Sequence, residues 1–198
     1  MVRSAWENIQ HRTWPTAIAR IASARDAAVT LAADDHAAEA GALLAGQAAA
    51  MLECEALPGQ PPVPPAYHLL IAWPLAQLQG LPAQAYADAE RCGRRAVEGL
   101  PRLASAHLAL AMALLRQGRW SDALPVLAAA DAAAAANGAR PPAAAALLRS
   151  ACQRSLGDRG AASESLAEAR RRAEGGSTRD SNAVRSWESL LAEFAPAE

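Results

Sequence analysis

Two stretches of this chain share one helical plan, and this repetition constrains the fold more than any other feature. Residues 104–137 and 143–176 each contain two apolar segments of helical period, separated by a short turn. The turn reads Gln-Gly-Arg-Trp in the first block and Leu-Gly-Asp-Arg in the second. Each block is a helical hairpin of about 34 residues, and such a hairpin cannot bury both of its faces alone. The sequence therefore predicts hairpins that stack on their neighbours.

The composition favours helices throughout. The chain of 198 residues contains 55 Ala, and Ala has the highest intrinsic helix propensity of the amino acids. No segment shows the period-2 alternation of β-branched residues that is typical of strands. The length suits one domain with a hydrophobic core. We therefore predict an all-α protein.

Proline and glycine mark the ends of the predicted elements. The segment 58–65, which reads Pro-Gly-Gln-Pro-Pro-Val-Pro-Pro, cannot be helical. It separates residues 1–57, interpreted as an N-terminal Ala-rich hairpin or as a degenerate repeat, from the repeat region. Pro74 lies inside an otherwise helical pattern and predicts a kink or a broken turn there. An amphipathic segment at 181–194 is predicted to be a final capping helix. The full set of predicted helices is 2–11, 15–33, 36–56, 66–79, 83–99, 104–117, 120–136, 141–155, 160–173 and 181–194.

The hairpins resemble the tetratricopeptide repeat (TPR). In that family a large and a small residue in the first helix precede a Gly-containing turn, and further small residues in the second helix follow. Here the first block places Leu110, Ala111, Gly118, Ala123, Leu127 and Ala130 at these positions, and the second block places Leu148, Ser150, Gly157, Ala162, Leu166 and Ala169 there. Residues 66–101 fit as an earlier repeat with a four-residue insertion after Gly80. The resemblance implies about three repeats over residues 66–176, arranged as a right-handed solenoid of antiparallel helical hairpins.

The same resemblance implies where a ligand binds, because the first helix of each TPR hairpin lines a concave groove that holds peptides. An apolar groove of this kind is covered by something in water. Our hypothesis is a non-catalytic scaffold, adaptor or chaperone that binds an apolar helix or peptide segment of a partner protein. The alternative is an obligate structural subunit or a homodimer, with the uncharged stretch 56–87 as its interface. The residues predicted to contact the partner are Leu70, Ile71, Trp73, Leu108, Met112, Leu115, Arg116, Leu147 and Arg154.

Other functions find less support in the sequence. The four His and three Cys are widely dispersed, so we expect no metal, no cofactor and no catalytic residues. A net charge of −1 argues against nucleic acid. The basic runs at 91–95 and 170–172 fit either a phosphate or acidic partner or solvated helix faces. No segment suits a membrane span, and the unpaired Cys count and the lack of a signal segment favour the cytoplasm.

Overall fold

The computed structural model describes residues 23–28, 30–31, 36–56 and 62–174. Within these ranges all regular structure is helical, and no strand occurs. The prediction of an all-α chain is thus confirmed for this part of the protein. The predicted helices at 2–11 and 181–194 lie outside the described residues. Besides a helical segment at 23–28 and 30–31, the helices are α1 (Ala37–Glu55), α2 (Pro65–Gln77), α3 (Ala83–Gly99), α4 (Ala104–Arg116), α5 (Trp120–Ala136), α6 (Ala143–Ser155) and α7 (Arg159–Glu174).

The helix boundaries follow the sequence closely, with one difference at a proline. Helices α3 and α5 begin and end at the predicted residues, and α1, α4, α6 and α7 differ by one or two residues. In α2, Pro74 lies inside a continuous helix of 13 residues. Pro74 cannot donate an amide hydrogen to the ladder, yet the helix continues to Gln77, and the amide of Leu78 still donates to the carbonyl of Pro74 at 3.3 Å. The predicted broken turn is therefore absent.

The repeat is longer than the hairpin. The first helices α2, α4 and α6 are each 13 residues long. They begin at Pro65, Ala104 and Ala143, so the two steps along the chain are equal. Both steps exceed the period of about 34 residues that is typical of TPR. Short connections such as 137–142 separate one hairpin from the next and lengthen the interval.

Three helices end in one hydrogen-bonded motif built around a glycine. After α4, Gly118 takes a φ of +70°, its amide donates to Leu115 O, and the amide of Arg119 donates to Leu114 O. This is the Schellman arrangement, which satisfies the last carbonyl groups of a helix. The same pair of bonds recurs after α5 at Gly138 and after α6 at Gly157. These glycines fix the turns of the repeats, because a side chain there would be strained.

The chain divides into two compact units, Met1–Leu100 and Pro101–Glu198. In the first unit, α2 and α3 form a hairpin, and α1 packs against both helices. The hairpin turn is held by Tyr86, whose hydroxyl donates to Leu78 O at 3.0 Å and accepts from the amide of Leu81 at 3.2 Å. Gly41 of α1 lies so close to Leu81 that a Cβ atom built on it would approach Leu81 Cδ2 to 2.1 Å.

In the second unit each helix packs on the next one in the chain, and α4 also contacts α6. Ala111 of α4 and Ala123 of α5 are both fully buried, as expected for small residues where the two helices of a hairpin approach each other. Their burial agrees with the small-residue positions that the TPR resemblance predicts for residues 104–137.

Candidate partner-binding surface

The residues predicted to contact a partner fall in both units, so each part is described by itself. In the first unit, α2 has two distinct faces. His68, Ile71 and Leu75 form one stripe at helical spacing, and each of these residues is 1 % exposed or less. Leu70 and Trp73 lie on the opposite face and are half-buried. Of the predicted set, Leu70 and Trp73 therefore reach solvent, whereas Ile71 belongs to the interior.

In the second unit the four predicted apolar contacts are packed inside. The exposed fraction is 6 % for Leu108, 1 % for Leu115 and zero for Met112 and Leu147. All ten residues from Ala106 to Leu115 are buried, so α4 has no apolar side open to water. A role in partner binding remains a prediction for these residues, and it requires that they be uncovered first.

The two predicted basic contacts differ in accessibility. Arg116 and Arg154 each lie in the last turn of a first helix, α4 and α6 respectively. Arg116 is half-buried and Arg154 is exposed. Arg154 is thus the predicted contact of the second unit that is most open to solvent.

A buried polar cluster, which the sequence did not indicate, joins α1, α2 and α3. Glu55 ends α1, and its Oε1 lies 2.8 Å from Nε2 of His68 on α2. Its second oxygen, Oε2, lies 3.3 Å from Nε of Arg95 on α3. The side chains of His68 and Glu55 are 1 % and 12 % exposed, and neither Glu55 Oε2 nor His68 Nδ1 makes a hydrogen bond. The pairing was missed because Glu55 and His68 lie on opposite sides of the proline-rich segment.

The second unit has an ionic cluster that spans α5, α6 and α7. Asp131 of α5 accepts from Arg149 of α6 at 2.6 Å and from Arg172 of α7 at 2.8 Å. Arg172 also donates to Glu168 and to the carbonyl of Pro142. Partial burial acts to lower the pKa of Arg172, but its hydrogen bonds to Asp131 and Glu168 outweigh that effect and raise the pKa. Arg172, one of the three arginines of the basic run at 170–172, is thus paired with carboxylates inside this cluster.

The other basic run is also engaged with carboxylates. Arg91 pairs with Asp88, and Arg94 donates to Glu90 at 2.6 Å. Arg95 contacts Glu98 and Glu55. Such pairing on one helix is the behaviour expected of a salt-bridged face, and it reduces the positive charge that the run offers to an anionic ligand.

The two buried cysteines have the character of core residues. Burial is the main cause that raises the pKa of the Cys92 thiol to about 12, with the charges of Asp88 and Glu55 adding to it. Burial likewise raises the pKa of Cys152 to about 12. A thiol that stays protonated is a poor nucleophile and a poor metal ligand. Within residues 23–28, 30–31, 36–56 and 62–174, no three His, Cys, Asp or Glu side chains converge as a metal site.

His107 occupies the same place in α4 that His68 occupies in α2, because each is the fourth residue of its helix. It is 7 % exposed, and its Nε2 lies 2.8 Å from the carbonyl oxygen of Pro101. The contact joins the first turn of α4 to the segment that precedes it in the chain.

Comparison of the chain with protein-family models, characterised proteins and solved structures finds no match. None of the helices that the structure describes is both long enough and apolar enough to cross a membrane. The likeness to TPR thus depends on the residues quoted above.

Proposed function

We propose that this chain is a non-catalytic protein-binding scaffold, an adaptor or chaperone that holds an apolar segment of a partner protein. The hairpins are proposed to stack as a TPR-like right-handed solenoid. Support comes from the recurrence of three first helices of equal length at a constant interval along the chain, because regular repeats commonly build extended binding surfaces.

Trp73 and Leu70 support the proposal because both reach solvent on one face of α2. The two side chains are three residues apart on the half-buried face of α2 and point away from the stripe of His68, Ile71 and Leu75. A partly accessible tryptophan is typical of the centre of an interface. We therefore assign the first partner contact to this face rather than to the buried leucines of α4 and α6.

The test is site-specific photo-crosslinking in the full-length chain expressed in its source cells. A photoreactive phenylalanine analogue replaces Trp73 in one variant and the exposed Ala83 of α3 in the control variant. We expect one discrete adduct from position 73 and none from position 83. In parallel, Trp73→Ala is expected to lower the yield of that partner without changing helical content. Equal labelling from both positions, or no adduct from position 73, would contradict the proposal.

A structural subunit is the second candidate, and one face of α5 favours it. Ser121, Pro125, Ala128, Ala132 and Ala135 are all exposed, small and uncharged, at spacings of four and three residues. The described part of the uncharged stretch 56–87, in contrast, buries Ile71, Leu75 and Leu81 within the first unit. Light scattering distinguishes the candidates: a subunit interface on α5 gives a wild-type oligomer that Ala132→Glu converts to a monomer.

A further inference from the structure

Helix α1 lies along α2 in the antiparallel sense. Near the start of α2, Glu55 at the C-terminal end of α1 meets His68 at 2.8 Å. Beyond the end of α2, Gly41 near the N-terminal end of α1 meets Leu81. The distance along the sequence from Gly41 to Glu55 nearly equals that from His68 to Leu81, so α1 extends along the whole of α2.

The face of α2 that meets α1 is the apolar stripe. His68 contacts α1 directly, and Ile71, Ala72 and Leu75 follow it at spacings of three, four and seven residues, which places them on the same side of the helix. Each of the four residues is 1 % exposed or less. Ile71 belongs to the set that the sequence assigned to a partner, and it lies on the same side of α2 as His68, which meets α1.

The attachment of α1 depends on few large side chains. Of the α1 side chains whose burial the structure describes, the most deeply buried are Ala40, Leu44, Ala48 and Met51. Two of these four residues are alanines, which bury little apolar area. Packing between α1 and the other two helices is also sparser than packing between α2 and α3. Elements with few apolar contacts open locally more often than the rest of a domain.

The C-terminal end of α1 is positioned by polar contacts of Glu55, but some of the buried polar atoms there lack hydrogen bonds. Glu55 is held between His68 and Arg95, yet Glu55 Oε2 and His68 Nδ1 are buried without hydrogen bonds. A partly satisfied polar cluster specifies a position while contributing less net stability than a complete one. The cluster therefore contributes less to holding α1 in place than a fully hydrogen-bonded cluster would.

We propose that α1 is a displaceable intramolecular occupant of the α2 stripe, and that a partner helix of the same chemistry takes its place. Such a helix carries small and aliphatic residues at spacings of three and four, a glycine or similarly small residue opposite Leu81, and a carboxylate that reaches His68 and Arg95. This inference rests on the proposed function only in taking α2 as the helix that receives the partner.

The first test is hydrogen exchange of the full-length protein. In the wild type, the amides of α1 are expected to exchange before those of α2 and α3. Glu55→Gln is expected to speed exchange in α1 selectively by roughly tenfold, because it weakens a buried hydrogen bond that involves a charged group. Glu53→Gln is the matched control, since Glu53 has the same charge on the same helix but is exposed. Equal exchange in the two variants, or exchange of α1 together with α2 and α3, would overturn the proposal.

The second test uses a fluorescent peptide with the sequence of residues 37–55 as the probe. Gly41→Leu places a bulky side chain where a Cβ atom alone would already overlap Leu81, and we expect it to displace α1, whereas Gly46→Leu adds a side chain where no atom lies within 4 Å. We expect saturable binding of the peptide to the Gly41→Leu chain and none to the wild type or to the Gly46→Leu chain. A peptide with Gln at the position of Glu55 is expected to bind about tenfold more weakly.

The outcomes of the peptide experiment are separable from those of the crosslinking experiment. If Gly41→Leu unfolds the α2–α3 hairpin, α1 is an integral part of the fold and the inference fails. If the hairpin persists and the peptide does not bind, the inference fails as well. Peptide binding to the Gly41→Leu chain supports the inference even if Trp73 gives no adduct, because the peptide contacts the opposite face of α2.

Discussion

Arg172 of α7 reaches Asp131 of α5 and donates through Nη1 to its Oδ1 at 2.8 Å, although the two residues are 41 positions apart. Arg149 of the intervening helix α6 donates to the other oxygen of the same carboxylate at 2.6 Å. One aspartate thus joins three helices of the second unit. The side chains of Asp131 and Arg172 are 21 % and 15 % exposed, so their interaction is less screened by water than a surface ion pair.

The position of Arg172 leads to a prediction with a neighbouring control. Arg172→Ala is expected to lower the free energy of unfolding by about 1–3 kcal/mol, because it leaves Asp131 with one cationic partner and an unsatisfied oxygen. Arg171→Ala removes the same side chain from an exposed position and should cost less than about 1 kcal/mol. Urea denaturation of both variants measures the difference. Equal midpoints would mean that the cluster contributes no more than a surface pair.

Ala111 of α4 has no exposed surface, so a larger side chain should not fit there. Ala111 is completely buried, and Ala111→Leu is expected to destabilise the protein by about 1–3 kcal/mol through overpacking. Ala128→Leu is the control because Ala128 is exposed on α5, and it should change stability by about 0.5 kcal/mol or less. Thermal denaturation followed by circular dichroism compares the two. An unchanged melting temperature for Ala111→Leu would show that the TPR register assigned to the α4–α5 hairpin is wrong.

Substitution by alanine should change the stability in opposite directions at Gly118, in the turn after α4, and at Gly46, within α1. Gly118 adopts a φ of +70°, so Gly118→Ala is expected to destabilise the protein by about 1–2 kcal/mol. Gly46 lies within α1 in open space, and Gly46→Ala is expected to stabilise α1 by up to about 1 kcal/mol. Denaturation curves of each variant and the wild type measure the change in the free energy of unfolding and its sign. Stabilisation by Gly118→Ala would contradict the left-handed turn after α4.

The raised pKa of Cys92 predicts that the stability of the folded protein falls as the pH rises above 9. Because the pKa is about 12 in the folded protein and 9.0 ordinarily, the protonated thiol stabilises the folded state fully below pH 9, and that contribution is lost as the pH rises from 9 towards 12. Denaturation midpoints measured over this range should fall with pH, and they should fall less steeply in Cys92→Ala. At pH 8 a thiol reagent should label Cys92 rapidly only in urea. Rapid labelling of the folded protein would contradict burial of the thiol.

Helix positions were predictable because their signals are local. The ends of α5 follow from Trp120 after a turn and from Asn137-Gly138 at the other end, and the structure places both boundaries as predicted. The cost of Pro74 is also local, and of the predicted kink or broken turn the structure excludes the broken turn. The burial of Ile71, Ala72 and Leu75 around it favours a continuous α2. The penalty of a proline is thus offset by packing that a single segment does not reveal.

The candidate site was harder to predict because it depends on which elements meet. Glu55 and His68 are separated by a proline-rich connection, and nothing in either segment indicates the other. The burial of Met112 was nevertheless visible in the sequence: α4 is apolar on every side from Ala106 to Leu115, apart from His107, and a helix that is apolar all round is a buried helix. The partner contact predicted for Leu108, Met112 and Leu115 therefore requires that this helix be uncovered first.

The last prediction follows from the burial of Met112 and corrects an expectation of the groove hypothesis. On that hypothesis, Met112→Glu removes partner binding and leaves the helices intact. Met112 has no exposed surface, so a carboxylate there is buried without an evident partner and is expected to cost at least about 3 kcal/mol. Met112→Leu nearly conserves the volume and should cost less than about 1.5 kcal/mol. Circular dichroism and urea denaturation of the two variants measure the contrast. A Met112→Glu protein with wild-type stability would show that α4 opens to solvent readily, and the groove assignment would then regain support.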